Sequence, residues 1–172
     1  MIRVDVHIPK WDYEVHCFFA VTEYWVDVIM EELHYLNIDA GKARRAYDNL
    51  SHDSLNNGLC FANPNLREAV LVVAKTSSPA EFINSLSHEL HHLASYIGKQ
   101  FGLDPTGEDI AYFTGEITME CYPYVKHLLC ECCRKKHEYD DRIHGDDSGF
   151  GIRVGFVFVV GFWIYCLKVT KA

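Results

Sequence analysis

The sequence predicts an α+β fold in which a small antiparallel sheet packs against two consecutive helices. Residues 2–8 alternate between apolar and polar side chains, which is the period of a strand with one buried face. Residues 82–97 repeat apolar side chains every three or four positions, which is the pattern of an amphipathic helix. With 172 residues, 49% of them hydrophobic and 23% charged, the chain is long enough for one domain with its own core.

The first third of the chain predicts a β-hairpin followed by a helix. Residues 2–8 form the first strand, the turn at residues 9–12 begins with Pro9, and residues 14–21 form the second strand. From residue 22 to residue 36 the apolar side chains change to helical spacing, and Thr22 is a suitable N-terminal cap.

The next segment predicts a short helix, a turn and a second pair of strands. Residues 40–57 are polar and form a short helix and a loop that ends in Asn56-Asn57-Gly58, a strong turn signal. Residues 59–62 are a short strand, residues 63–65 a turn, and residues 69–74 a β-branched strand that leads into the amphipathic helix.

The amphipathic helix has clear signals at both ends. Ser78 precedes Pro79, and Glu81 stands three residues after the serine, which together form a capping box with proline at the first helical position. Gly98 and Gly102 are the two candidate stops.

A metal-binding motif lies inside this helix. Residues four apart lie on neighbouring lines of one helix face, so His88 and His92 can direct their imidazoles to one ion. Glu89 lies beside them and can act as a general base without binding the metal. His91 falls on a different side and is expected to take no part.

A catalytic zinc site usually has a third protein ligand, and the helix predicted at residues 108–129 offers two carboxylates. If the two helices ran strictly antiparallel about a turn near residue 103, Glu116 would lie level with the histidines. A turn at Gly98, or helices that cross steeply, would favour Glu108. The spacing leaves both open.

The residues His88-Glu89-x-x-His92 followed by Glu108-x-x-Ala-Tyr112 resemble the gluzincin group of zinc metallopeptidases, and more narrowly the small metallopeptidase-like proteins of phages and prophages. The resemblance covers residues 78–125. It implies a minimal zincin-like fold, a Zn²⁺ cofactor and a protein or peptide substrate. It also implies Glu108 as the third ligand, with Glu116 as the alternative.

The function expected from the motif and the resemblance is hydrolysis of peptide bonds in a protein substrate. His88, His92 and Glu108 would hold Zn²⁺, and Glu89 would move the proton of the attacking water to the leaving amine. Tyr112 and Tyr96 are candidate donors to the oxyanion that develops on the substrate.

The cysteine pattern indicates reduced thiols. Seven cysteines are an odd number for a disulfide framework. Cys130 and Cys133 have the C-x-x-C spacing of one half of a zinc site, so they are candidates for a second metal site.

Composition also limits the partners and the compartment. A formal net charge of −8 is opposite to that of most nucleic-acid-binding proteins, so no nucleic acid is expected as a partner. The charged residues near the N-terminus, Arg3 and Asp5, interrupt any apolar signal segment, so a cytoplasmic location is expected, in the host cell if the gene is viral.

We expect one domain over residues 1–148 and an apolar C-terminal segment over residues 149–172. Residues 154–167 lack charges, but as a helix they would span about 21 Å, less than a hydrocarbon core of about 30 Å. Packing of this segment against protein is therefore favoured over membrane insertion. The alternative functions are a non-catalytic metal-binding protein and a phage assembly or membrane-associated protein.

Overall fold

The computed structural model describes residues 1–51 and 58–135. Contacts divide the chain into a unit from Met1 to His137 and a unit from Glu138 to Ala172, so every described residue belongs to the first. The predicted boundary at residue 148, the apolar segment 149–172 and the turn at Asn56-Asn57 lie outside the described residues.

Four strands and four α-helices confirm the predicted α+β class. In chain order they are β1 (Ile2–Ile8), β2 (Tyr13–Val21), α1 (Val26–Tyr35), α2 (Ala40–Ser51), β3 (Gly58–Asn63), β4 (Glu68–Ala74), α3 (Pro79–Gln100) and α4 (Glu108–Val125). Short 3-10 turns lie at Pro9–Trp11, Glu23–Trp25 and Lys126–Leu129, and residues 131–135 are helical.

The sheet is mixed, which corrects the prediction of an antiparallel one. Its strand order is β1-β2-β4-β3, with antiparallel pairing of β1 to β2 and of β3 to β4. The two central strands, β2 and β4, pair in parallel, with Cys17 opposite Leu71. Both central strands carry apolar side chains on both faces, as is typical of strands that are covered by helices on two sides.

Each face of the sheet has its own hydrophobic core. One core joins the sheet to α3 and α4 through side chains such as Phe19, Leu71, Leu90 and Phe113. The other joins the opposite face to α1 and α2 through side chains such as Phe18, Val72 and Leu33. The helix that carries His88, Glu89 and His92 is thus held against one face of a sheet whose other face is covered by α1 and α2.

A β-bulge at Ala20 lets the last residue of β2 serve the second core. The pairing of β2 with β4 shifts between Phe19 and Val21, and Ala20 has a φ of 55°. The odd-numbered residues up to Phe19 face α3 and α4, whereas Val21 packs with α1 and α2. The extra residue therefore reverses the side to which the strand end points.

The ends of α3 follow the predicted signals. The Ser78 hydroxyl accepts a hydrogen bond from the Glu81 N–H at 3.2 Å, and Pro79 is the first helical residue. At the other end Gly102 has a φ of 74°, and the Leu103 N–H donates to the Gly98 carbonyl at 3.0 Å. This is a Schellman motif, so Gly102 is the stop, and Gly98 is a buried helical residue.

Two other helix ends differ from prediction. The α4 helix ends at Val125 and a 3-10 turn follows, whereas a single helix to residue 129 was expected; Pro123 removes a backbone donor in the last turn. The first helix begins with a 3-10 turn, and α1 proper begins at Val26. Within residues 1–51 and 58–135, no helix combines the length and apolarity needed to cross a bilayer.

Candidate metal centre

The α3 helix places the motif at the border between its buried and exposed faces. The predicted apolar face is confirmed: Phe82, Leu86, Leu90, Leu93 and Ile97 are all buried. The motif residues lie at the edge of this face. Glu89 points inward and is only 5% exposed, whereas His88 is exposed and His92 is half-buried. Their arrangement gives one protected carboxyl group next to two accessible imidazoles.

The two imidazoles lie close enough to share one ligand. The Nε2 atoms of His88 and His92 are 3.1 Å apart, and the rings meet edge to face. Two imidazole nitrogens bound to one tetrahedral zinc at about 2.05 Å would be separated by about 3.3 Å. The same separation also suits a hydrogen bond from one imidazole to the other. The pair therefore fits a shared metal with almost no movement.

Glu89 lies against the edge strand β3. A Cβ atom added to Gly58 would lie 2.9 Å from the Glu89 Cγ and 2.2 Å from the Val72 carbonyl oxygen. The Cys60 thiol also faces this carboxyl group: burial raises the pKa of Cys60, and the charge of Glu89 raises it further. Sequence reasoning missed Gly58 because its role depends on the approach of β3 to α3.

Burial shifts the pKa of two side chains in the motif, Glu89 and His92. It raises the pKa of Glu89, although a charge on His88 would act in the opposite direction. It lowers the pKa of His92, and positive charge on His88 and His91 lowers it further. A neutral imidazole is the form that binds metals, so His92 is suited to the ligand role over the physiological pH range.

The carboxylate that would complete the site is not adjacent to the histidines. In the described part of the chain, the one group of three or more His, Cys, Asp or Glu residues with ligand atoms within 4.8 Å of one another consists of Cys130, Cys132 and Cys133. Glu108 is exposed at the start of α4, and Glu116 is half-buried eight residues further along the same helix. The choice between them stays a prediction.

Of the two candidate tyrosines, Tyr96 lies beside one of the imidazoles. The Tyr96 ring stacks on His92 with centroids 6.1 Å apart and an angle of 18° between the rings. Tyr112 is 71% exposed on α4. Its role as an oxyanion donor therefore stays a prediction, and the spacing of four between His92 and Tyr96 is the signal that marks the nearer tyrosine.

The three clustered cysteines could hold a metal ion, although the metal identity is open. Sequence reasoning chose Cys130 and Cys133 by their spacing and missed Cys132, which the adjacent helical turn brings into the same group. A hydrogen bond from the Cys132 thiol and others from the Cys133 and Cys132 N–H groups lower the pKa of Cys130 to about 7. The thiols of Cys130 and Cys133 raise the pKa of Cys132 to about 11.

The remaining described cysteines are free thiols, as predicted. Cys17 and Cys121 are buried between β2 and α4, and burial together with Cys121 raises the pKa of Cys17. Cys166 lies outside the described residues.

Comparison with known proteins gives no match: neither a protein-family model, nor a curated protein, nor a solved structure corresponds to this chain.

Proposed function

We propose that this chain is a zinc-dependent metallopeptidase that hydrolyses peptide bonds of a protein substrate. The main supporting observation is the contrast inside one helical turn. A carboxyl group that is 5% exposed adjoins two imidazoles whose Nε2 atoms are 3.1 Å apart. The motif resemblance to phage and prophage metallopeptidases supports the same class of protein.

The ligand set of the proposal is His88, His92 and one carboxylate of α4. Glu108 is the first candidate because of the motif resemblance, and Glu116 is the second. Zn²⁺ bound there would supply a Lewis acid that acidifies water and polarises the substrate carbonyl. The loop at residues 101–107 joins the two helices, so a small change in their crossing would move either carboxylate relative to the histidines.

Glu89 is the general base in this proposal. Its burial raises its pKa, which brings the group closer to the pH at which it both accepts and returns a proton. The carboxylate would accept a proton from the attacking water and then donate it to the leaving amine. Because Gly58 has no side chain, β3 can lie against Glu89 and shield it from bulk solvent.

The edge strand β3 offers a place for an extended peptide. It pairs with β4 on one side only, and α3 packs beside it. An extended peptide can bind along a sheet edge, where unpaired backbone groups accept it as a further strand. The strand that directly precedes α3 is β4, which is central, so the proposed substrate edge is β3.

The test compares Glu89→Gln with His92→Ala in the full chain, measuring zinc content by elemental analysis and cleavage of an unfolded protein such as casein. Glu89→Gln should keep zinc and lose cleavage by at least about 100-fold, the usual contribution of a positioned base. His92→Ala should lose both zinc and cleavage. His34→Ala, an exposed histidine on α1, is the matched control and should change neither.

Equal cleavage by wild type and Glu89→Gln would disprove the assignment of the base. The third ligand is decided by Glu108→Ala and Glu116→Ala, because only the variant that removes a ligand should bind zinc more weakly.

A non-catalytic metal-binding function is the second candidate. One observation favours it. In the described residues, neither the Glu108 nor the Glu116 carboxylate belongs with the two histidines to a group whose ligand atoms lie within 4.8 Å of one another. Zinc retained through His88 and His92, together with no cleavage of casein by the wild-type chain, would support this function over the peptidase.

A further inference from the structure

We propose that Cys130, Cys132 and Cys133 form a second metal site, a three-thiolate site for a thiophilic ion such as Zn²⁺, which orders the segment after α4 that Arg134 links to the loop before α3. This site shares no residue with the His88–His92 pair. Its test is therefore independent of the proposed peptidase function.

The separation of the sulfur atoms suits one ion. The Sγ atoms of Cys132 and Cys133 are 3.9 Å apart, and all three sulfur atoms lie within 4.8 Å of one another. With zinc–sulfur bonds of about 2.3 Å, two thiolates on one ion are separated by about 3.8 Å in tetrahedral geometry and about 4.0 Å in trigonal geometry. A shift of less than about 1 Å would complete the set.

The backbone that carries the thiols is anchored on both sides. Leu128 and Leu129, directly before the cysteines, pack against the core between the sheet and α3. After them, the Arg134 guanidinium donates to the Thr76 carbonyl at 2.8 Å, and the Arg134 N–H donates to the Cys130 carbonyl at 2.9 Å. The backbone that carries the thiols is therefore restrained before any ion binds, which reduces the entropy lost on binding.

The chemistry of the donors selects the ion. Thiolates bind soft ions such as Zn²⁺ and Cu⁺ and bind Mg²⁺ or Ca²⁺ poorly. Cys132 and Cys133 are exposed, so an ion can reach them from solvent and a water molecule or exogenous ligand can fill a fourth position. Each thiol releases its proton to solvent as its bond to the ion forms.

Occupation of this site would affect the helix that carries the metal-binding motif. Thr76, the partner of Arg134, lies two residues before Ser78, which caps α3. The charge of Arg134 also acts on Glu81, the other residue of the capping box. An ion that fixes residues 130–135 would therefore restrict the loop at residues 75–78 and the first turn of α3.

The experiment uses full-length His92→Ala protein, kept reduced, so that the histidine site is disabled. Titration with Co²⁺ should give a thiolate-to-cobalt charge-transfer band that saturates at about one equivalent per chain. The band should disappear in His92→Ala/Cys130→Ser and in His92→Ala/Cys133→Ser. A control on the same helical turn, His92→Ala/Lys135→Ala, should keep it.

Absence of the band in the His92→Ala protein, or its survival in both serine variants, would overturn the site. A control for folding is the circular dichroism spectrum of each variant without metal, which should match that of the parent.

The second half of the proposal is tested by hydrogen exchange with Cd²⁺ as the probe. Cd²⁺ should slow exchange of the backbone N–H groups of residues 76–78, 80 and 81 in the His92→Ala protein. Replacing Arg134 by glutamine should preserve the cobalt band and remove this protection. Equal protection in the parent and in Arg134→Gln would show that the arginine does not transmit the effect.

Discussion

Glu89 is the residue on which the proposed chemistry depends, and its position is set by a glycine on another element. Gly58 at the start of β3 lies so close that any side chain would collide with the Glu89 Cγ and with the Val72 carbonyl. The sequence identified the histidines and Glu89 by their spacing on one helix. It did not identify Gly58, whose importance comes from tertiary packing and which read only as part of a turn.

We expect Gly58→Ala to reduce both stability and catalysis. The added Cβ would lie 2.2 Å from a backbone oxygen, so β3 must move, and such overpacking costs about 1–3 kcal/mol of unfolding free energy. Cleavage of casein should fall more than zinc content, since the histidines are not displaced. Urea denaturation, elemental analysis and a cleavage assay on the same preparation measure the three effects.

Gly115→Ala is the matched control for that substitution. Gly115 is exposed within α4, and an added Cβ would meet no heavy atom within 4 Å. Alanine should therefore raise the unfolding free energy by roughly 0.5–1 kcal/mol through helix propensity alone. A loss of stability at both glycines would argue against a specific contact between Gly58 and Glu89.

At the scale of elements, the start of α3 depends on a network of short hydrogen bonds. The Ser77 hydroxyl and N–H donate to the Glu81 carboxylate at 2.7 and 3.0 Å, and the Ser78 hydroxyl accepts from the Glu81 N–H. Replacing Ser78 with alanine should lower the unfolding free energy by about 1 kcal/mol, the usual cost of losing an N-terminal cap. Chemical denaturation of Ser78→Ala against wild type measures this.

The same network predicts a pH dependence. Hydrogen bonds from Ser77, the largest cause, lower the pKa of Glu81 below its ordinary value. The stability that they provide is therefore present above the ordinary glutamate pKa and is lost as the pH falls through the lowered one. Glu81→Gln should be less stable than wild type near about pH 7, and the difference should shrink near about pH 3.

Glu120→Gln, which changes an exposed carboxylate on α4, is the control for that comparison. A gap between wild type and Glu81→Gln that stays constant from neutral to acid pH would show that the carboxylate charge does not support the cap.

Several elements were predictable because their signals are local. The alternation of β1, the capping box at Ser78 and the apolar face of α3 all appear in the structure as the sequence indicates. The parallel pairing of β2 with β4 was not predictable in this way. Both strands are apolar on both faces, and no local pattern tells which strand a buried strand pairs with. The third ligand of the proposed zinc site has the same difficulty, because its identity depends on how α3 and α4 cross.

At the scale of the whole molecule, the two proposed metal sites should each add to stability. An ion that binds the folded state and not the unfolded state raises the unfolding free energy by about 2.7 kcal/mol at a concentration 100-fold above its dissociation constant. The sites lie at different parts of α3: Thr76 contacts the cysteine segment, and His88 lies ten helical residues after Ser78, about 15 Å along the axis. Their effects should therefore be nearly additive.

Denaturation with and without zinc tests this additivity. His92→Ala and Cys130→Ser should each lose part of the stabilisation by zinc, and the double variant should lose all of it. Stabilisation that disappears completely in either single variant would mean that the chain holds one zinc site instead of two.

The strand order also has a consequence for how the chain folds. Two hairpins, β1–β2 and β3–β4, form between neighbouring segments of the chain. By contrast, Glu14 of β2 pairs with Glu68 of β4, which lies 54 positions later in the sequence. Pairing of β2 with β4 requires closure of a long loop, because α1 and α2 lie between these strands in the sequence. Folding should thus proceed by late docking of two preformed hairpins. Since β3 and α3 belong to the same half, the contact between β3 and Glu89 can form before the sheet is complete.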